Sequence, residues 1–244
     1  MNAVRFDHVS KAFGGRKVLE DVSLEIPEAT AFCLLGRSGT GKSVTLRHIV
    51  GLVRPDNGRV FVGERDIATL TGRELADART HMGFLFQNAA LFDSMSVGEN
   101  VAFPMRRHTD WSDAVIRERA TKKLADVGLE KEFNTMPGDL SGGMKKRAGL
   151  ARAMALDPTL LLVDEPSAGL DPITAGEIEE LLVKTKQGGT TLVVVTHNIP
   201  SARVIGDAFA VLHEGRILAS GTLEALTASE EPIVQAFMRS QGGD

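Results

Sequence analysis

Cysteine is almost absent from the chain: Cys33 is the only one among 244 residues. No disulfide framework can form within one chain, and a lone thiol inside the apolar run AFCLLG (Ala31–Gly36) reads as a small core residue. An excess of positive charge is absent too. Lys and Arg number 28 against 32 Asp and Glu, a net charge of −4, so no global basic field attracts nucleic acid or anionic lipid. Long apolar runs are also missing, since none approaches the roughly eighteen residues a membrane span needs. The N-terminal MNAVRFDHVS alternates apolar and polar residues without the layout of a signal peptide. These absences point to a soluble, cytoplasmic protein that binds no nucleic acid and touches a membrane only through a partner. At 43% hydrophobic, 244 residues can bury a substantial core, as one large domain or one domain with a lobe.

What the chain does have is a glycine-rich stretch, GRSGTGKS (Gly36–Ser43), between that apolar run and TLRHIVGL, whose apolar residues recur at helical spacing. Strand, glycine-rich turn and helix in that order are what a phosphate-binding loop requires. Gly36, Gly39 and Gly41 keep side chains out of the space between backbone and ligand. The N–H groups of Arg37, Ser38, Thr40 and Val44, with those of the glycines, are candidates to converge on one anion at a helix N-terminus. Lys42 is placed to reach the β- and γ-phosphates, and the Ser43 hydroxyl to hold Mg²⁺. The competing reading is a glycine-rich turn with a chance lysine and serine; the full GxxxxGKS pattern in a strand–helix setting weighs against it. The stretch implies a bound nucleoside triphosphate.

Around it, residues 4–9 and 17–26 read as strands with one wet face, because Val22, Leu24 and Ile26 alternate with Ser23 and Glu25. Between them Lys11–Arg16 reads as a turn carrying Phe13. That ring either packs the turn or stacks on an adenine, and position alone favours neither. Arg54–Val60 reads as a turn and Val60–Ile67 as a short hairpin. Met82–Gln87 reads as a buried strand ending in Gln87, where open α/β sheets present ligand-contacting groups. A polar residue starting a loop explains Gln87 equally well. From 88 to 155 helical spacing takes over, with Trp111, Val115, Leu124 and Val127 in one stripe and Asp113 paired with Arg117. No linker sets this region apart. The expectation is a single domain, an α/β core (1–87 and 156–244) with an inserted helical subdomain (88–155).

The helical region ends in GDLSGGMKKRAGLARAMAL (Gly138–Leu156), where Ser141 can cap a helix carrying Lys145, Lys146 and Arg147. The plain reading is an N-cap with a solvated basic face. Ser141, Gly142 and Gly143 also offer a hydroxyl and unhindered N–H groups, a second phosphate grip. Two such grips serve one nucleotide or are shared with a second copy. LLLVDEP (Leu160–Pro166) follows, an apolar strand with two acids at its tip: Asp164 to hold Mg²⁺, Glu165 to orient or deprotonate a water. The turn Ser167–Pro172 adds Asp171. Thr190–Thr196 reads as a buried strand ending at His197, placed to meet a γ-phosphate or the attacking water. Ala208–Gly221 reads as a hairpin turning at Glu214 and Gly215. Buried strands delivering such groups to one sheet edge describe an NTP hydrolase.

In this order the phosphate loop, Gln87, LSGGM, LLLVDEP, SAGLD and His197 resemble the ATPase subunits of ABC transporters over essentially the whole length. The resemblance implies an α/β P-loop NTPase of ABC ATPase type: a mixed sheet core, an N-terminal antiparallel β subdomain and the inserted α-helical subdomain. It implies ATP and Mg²⁺ as cofactors and Asp171 as part of the nucleotide site. Phe13 becomes the adenine-stacking aromatic, where the family more often has Tyr, a residue this chain lacks altogether. Gln87 contacts Mg²⁺ or water and senses the transporter, while Ser141, Gly142 and Gly143 clamp the γ-phosphate of ATP held by a partner copy. The implied mechanism is hydrolysis in a head-to-tail homodimer. Glu165 polarises the water, and Lys42, His197 and the partner's Ser141 stabilise charge on the phosphoryl group.

Within the family, Leu85–Thr109, Met144 where most members have Gln, and Asp164–Thr174 resemble ATPases of Mla/Mce-type phospholipid transporters. That implies lipid moved across a bacterial envelope, an integral membrane permease of the MlaE kind and an Mce-domain protein of the MlaD kind. The ATPase would then be peripheral, on the cytoplasmic side of the inner membrane. Some of that group continue past a segment like Glu230–Ser240 with a tail that wraps the other subunit. With Asp244 the last residue given, such a clasp, and a small regulatory subunit docking near it, are left open. An ATPase for amino-acid import or lipoprotein release shares the chemistry. A soluble ABC protein without a permease is the rival of another class; such proteins usually carry two fused halves, a long coiled coil or a dedicated insert, and this sequence shows one copy of each motif and no sustained heptads.

Overall fold

Alternating apolar residues give the first elements their shape. A computed structural model describes residues 1–240. Strands β1 (Asn2–Phe13) and β2 (Arg16–Pro27) pair antiparallel around a two-residue Gly14–Gly15 turn. Val22, Leu24 and Ile26 face inward while Ser23 and Glu25 stay wet, as the alternation requires. The strands run longer than the sequence suggested, because two adjacent glycines suffice for the turn. Phe13 therefore ends β1, paired with Arg16, instead of lying inside a wider turn.

Strand β3 (Ala31–Leu35) is buried throughout and leads through the phosphate loop into α1 (Lys42–Ile49). Strands β4 (Asn57–Val62) and β5 (Arg65–Asp66) join the first pair in a four-stranded sheet of order β2-β1-β4-β5. After α2 (Gly72–Thr80) comes β6 (Met82–Leu85), which ends two residues before Gln87. It is an edge strand, with only Gly83 and Leu85 fully buried, and the chain turns at once, Ala89 N–H donating to the Phe86 carbonyl at 2.9 Å.

Helices α3 (Val97–His108), α4 (Asp113–Ala125) and α5 (Gly142–Ala153) follow. Ser112 caps α4, and from that start Ile116, Ala120 and Leu124 form its buried face. The expected stripe is thus corrected: Trp111 precedes the helix, Val127 follows it, and Val115 is 37% exposed. Asp113 does not pair with Arg117 either. It lies 3.6 Å from Arg106 of α3, and the Arg117 guanidinium sits 4.3 Å from the Phe133 ring centre. Packing between helices wins over the weak pairing along one helix.

Then come β7 (Leu160–Asp164), α6 (Pro172–Gln187), β8 (Thr191–Thr196), α7 (Ile199–Ile205), β9 (Ala208–His213) and β10 (Arg216–Gly221), with α8 (Leu223–Thr227) and α9 (Pro232–Ser240) closing the described chain. Strands β10-β9-β3-β8-β7-β6 form the second sheet, parallel except at its β10 edge. Successive residues of its strands feed opposite cores. Cys33, Leu35, Leu161, Val163 and Val194 join the helices, whereas Phe32, Leu34, Leu162, Val193 and Val195 meet α1 and the antiparallel sheet. Burial on both faces is why these strands read as continuous apolar runs. The parallel order puts the ends of β3, β7 and β8 on one edge.

The corrected face of α4 is testable by urea denaturation. Leu124→Ala is expected to cost about 2–5 kcal/mol of stability by opening a cavity, and Val115→Ala no more than about 0.5 kcal/mol.

Candidate active site

The loop between β3 and α1 is braced from outside. Gly41 caps α1 at φ 108°, and a Cβ there would stand 2.8 Å from the Val18 carbonyl oxygen of β2. Only glycine tolerates both conditions. Lys42, the first residue of α1, is buried, its Nζ donating to the carbonyls of Gly36 at 2.8 Å and Arg37 at 3.1 Å. The same Nζ is 3.4 Å from Glu165 Oε1. Burial pushes the Lys42 ammonium below its usual range, against the opposing pull of Glu165 and Asp164.

The tip of β7 carries the two acids. Ser43 Oγ donates to Asp164 Oδ1 at 3.0 Å. Burial raises the Asp164 carboxyl above its usual range, the Ser43 bond opposes this, and the neighbouring Glu165 charge adds to it. Glu165 is 8% exposed and takes a positive φ of 48°, uncommon for a residue with a side chain. Its Oε2 accepts from Thr196 Oγ at 3.0 Å and from the His197 backbone N–H at 3.3 Å, with His197 Nδ1 at 3.0 Å. Lys42, Ser43, Asp164, Glu165 and His197 thus form one contiguous cluster contributed by three neighbouring parallel strands.

Other residues singled out from the sequence stand apart. Phe13 is 47% exposed at the tip of the hairpin whose β2 braces Gly41, and Lys11 Nζ lies 5.3 Å from its ring centre. Gln87 is exposed in the turn after β6. Ser141 caps α5, accepting from Met144 N–H at 3.3 Å, and Gly142 beside it is exposed. Gly143 is buried, and a Cβ on it would collide with the Thr174 methyl of α6. Asp171 caps α6, accepting from the N–H groups of Ile173 and Thr174 and from Thr174 Oγ at 2.6 Å. Those bonds, the hydroxyl's above all, hold its carboxyl below the usual carboxylate range. Among the described residues none of these six shares a hydrogen bond or ion pair with the Glu165 cluster.

Two residues escaped the sequence reading. Thr196 is fully buried and binds Glu165; a hydroxyl ending an apolar strand beside His197 was the available signal. Lys146, read as part of a solvated basic face, is 4% exposed, with Nζ donating to the carbonyls of Glu165 and Pro166. Nothing in a run of lysine and arginine marks the one that points inward.

Comparison with known proteins fixes the family. Residues 19–168 match the family model described as ABC transporter. Over 240 residues the chain is 42% identical to the probable ribonucleotide transport ATP-binding protein mkl of Mycobacterium tuberculosis, covering 98% of this chain and 67% of that one. Over 238 residues it is 38% identical to the intermembrane phospholipid transport system ATP-binding protein MlaF of Escherichia coli, covering 97% and 88%. The chain belongs to the ABC transporter ATP-binding family. Among solved structures, the dimeric post-hydrolysis state of the ATP-binding cassette MJ0796 bound to ADP and Pi superposes with a TM-score of 0.83 at 34% identity, covering 90% of this chain and 98% of that one. The ADP conformation of the cassette MJ1267 gives 0.85 at 26% identity, covering 97% and 98%. As an ABC transporter ATPase subunit the chain binds and hydrolyses ATP. No described helix is long and apolar enough to cross a membrane.

Gly41→Ala is expected to weaken binding of a fluorescent ATP analogue at least tenfold in an equilibrium titration, because both the left-handed backbone and the Val18 carbonyl exclude a Cβ. Unchanged affinity would show that the loop does not hold the nucleotide in this shape.

Proposed function

We propose that this chain powers lipid transport across a bacterial envelope, as a homodimer seated under an integral membrane permease that works with an Mce-domain protein. The observation that carries the cargo assignment is the near full-length similarity to MlaF. The mycobacterial relatives are named for ribonucleotide transport. The family therefore gives the ATPase, and the lipid is our reading. It also takes 88–155 as a helical subdomain of a single ABC domain, peripheral to the cytoplasmic face of the inner membrane.

Each residue then has a role. The loop from Gly36 to Val44 wraps the phosphates with backbone N–H groups, and Lys42 supplies charge to the β- and γ-phosphates. Ser43 Oγ and Asp164 Oδ1, already 3.0 Å apart, are the hard oxygen donors Mg²⁺ prefers. Bound there with ATP, Mg²⁺ would neutralise charge on the phosphates. Glu165, aimed by Thr196 and His197, orients and deprotonates the attacking water, and His197 faces the γ-phosphate. Phe13 stacks on adenine.

The exposed N-terminus of α5, out of contact with its own chain's cluster, supports use of Ser141, Gly142 and Gly143 on ATP held by the second copy, with Asp171 beside that junction. Gln87 adjoins an aromatic groove of about 320 Å³ that Phe84, Phe86, Phe92 and Phe103 help to line. Phe86, Phe92 and Phe103 are all more than a third exposed. Such a patch suits a permease helix that reads the nucleotide state through Gln87.

Glu165→Gln is expected to keep ATP affinity, lose hydrolysis and accumulate an ATP-bound dimer in size-exclusion chromatography. Normal turnover in that variant would remove Glu165 from the base role. The cargo reading is tested by a tagged pull-down from gently solubilised membranes, with partners identified by mass spectrometry. A permease together with a single-span Mce-domain protein is expected. A permease with a solute-binding protein would discard the lipid and keep the ATPase, and no membrane partner would favour a soluble ABC protein.

A further inference from the structure

We infer that Lys146 is a positioning residue for hydrolysis, tying the helix that bears Ser141, Gly142 and Gly143 to the backbone that aims Glu165. This inference rests on the role proposed for Glu165. Lys146 stands five residues after the Ser141 cap, about 7.5 Å along the axis of α5 at 1.5 Å per residue. It is 4% exposed, and its Nζ donates to the Glu165 carbonyl at 2.8 Å and the Pro166 carbonyl at 2.7 Å. Burying an amine is costly, and burial pushes this one down to about 8 against the pull of Glu165 and Asp164. A methionine would fill similar space without that cost, so the donors themselves are what the position uses.

Those donors land on a backbone that needs holding. Glu165 occupies the left-handed region at φ 48°, which a side-chain-bearing residue keeps only where its surroundings over-determine it. Glu165 N–H donates to the Val195 carbonyl at 2.9 Å, Lys146 holds the two carbonyls that follow, and the first of these also accepts from Ala168 N–H at 3.2 Å. At the far end Thr196 and His197 hold the carboxylate. Glu165 is therefore aimed from both ends, by strand β8 at its carboxylate and by α5 at its backbone.

The consequence lies in what else α5 carries. Its N-terminus presents the exposed Ser141 and Gly142, and a stiff helix transmits a shift at that end to Lys146 one and a half turns away. Engagement of Ser141 with nucleotide on the second copy then bears on Glu165 of the same chain. Each copy's water-activating acid is linked in this way to the other copy's ATP.

The test measures steady-state ATPase kinetics, affinity for a fluorescent ATP analogue and thermal unfolding of the full chain for wild type, Lys146→Met and Lys146→Gln. Lys146→Met is expected to lower kcat tenfold or more with KM and analogue affinity within twofold of wild type. Lys146→Gln, which keeps N–H donors one atom short, is expected to give an intermediate kcat at the same KM. Wild-type kcat in Lys146→Met overturns the inference. So does a glutamine variant no better than methionine, or analogue affinity falling in step with kcat, which marks a merely structural lysine. If Lys146→Met does not fold, Lys146→Gln decides alone: kcat several-fold below wild type at unchanged KM supports positioning, and wild-type kcat overturns it. Glu165→Gln is assayed in parallel. Its normal turnover would overturn the role of Glu165 itself, whatever the lysine variants do.

Discussion

Two carboxylates on consecutive residues, half-buried and buried at one strand tip, are what the rest of the site answers to. Removing Asp164 and Glu165 from water costs each its hydration, and their like charges oppose one another. The fold meets this with separate partners, Ser43 for Asp164 and Lys42, Thr196 and His197 for Glu165. Lys42 is itself buried and would be an uncompensated charge without them. Each group thus makes the next tolerable. Behind the pair Lys146 sets a second buried ammonium, whose charge both acids attract.

That geometry needs parallel strands. Phosphate loop, acid pair and histidine come from segments lying between Gly36 and His197, yet each stands at the end of a strand or directly after it. Because β3, β8 and β7 are neighbours running the same way, their ends meet without any long loop. The antiparallel sheet has a different task. It covers one face of the parallel sheet and sets the Val18 carbonyl against Gly41, so the hairpin that ends at Phe13 is also the wall that shapes the loop.

Much of this was legible in the sequence because buried parallel strands and glycine-rich loops have dense local signatures. The runs ending at Leu35, Asp164 and Thr196 announced the sheet, and the residues just beyond them announced the site. What was not legible depended on neighbours distant along the chain. The stripe on α4 was misjudged because Trp111 and Val127 fall outside the helix, whose start is set by a single cap at Ser112. Asp113 found Arg106 on another helix in place of its own neighbour. Gln87 seemed to end a buried strand, but the edge position of β6 stops the ladder at Leu85. Lys146 was invisible for the deepest reason: its partners are backbone carbonyls, which carry no sequence signal at all.

In the proposed homodimer the buried lysine also bears on when hydrolysis runs. An acid left permanently poised beside ATP and water would spend nucleotide without transport. The backbone at Glu165 is strained, so its aim is a balance of few bonds and not the default shape of the chain. One of the supports comes from α5, the helix whose exposed N-terminus is proposed to meet a second molecule. Rigid helices move as units, and close-packed interiors pass small shifts on instead of absorbing them. In that proposed dimer, placing the strain under the acid and one of its supports on α5 makes the chemistry sensitive to the state of the opposite subunit, with no moving part beyond a single helix.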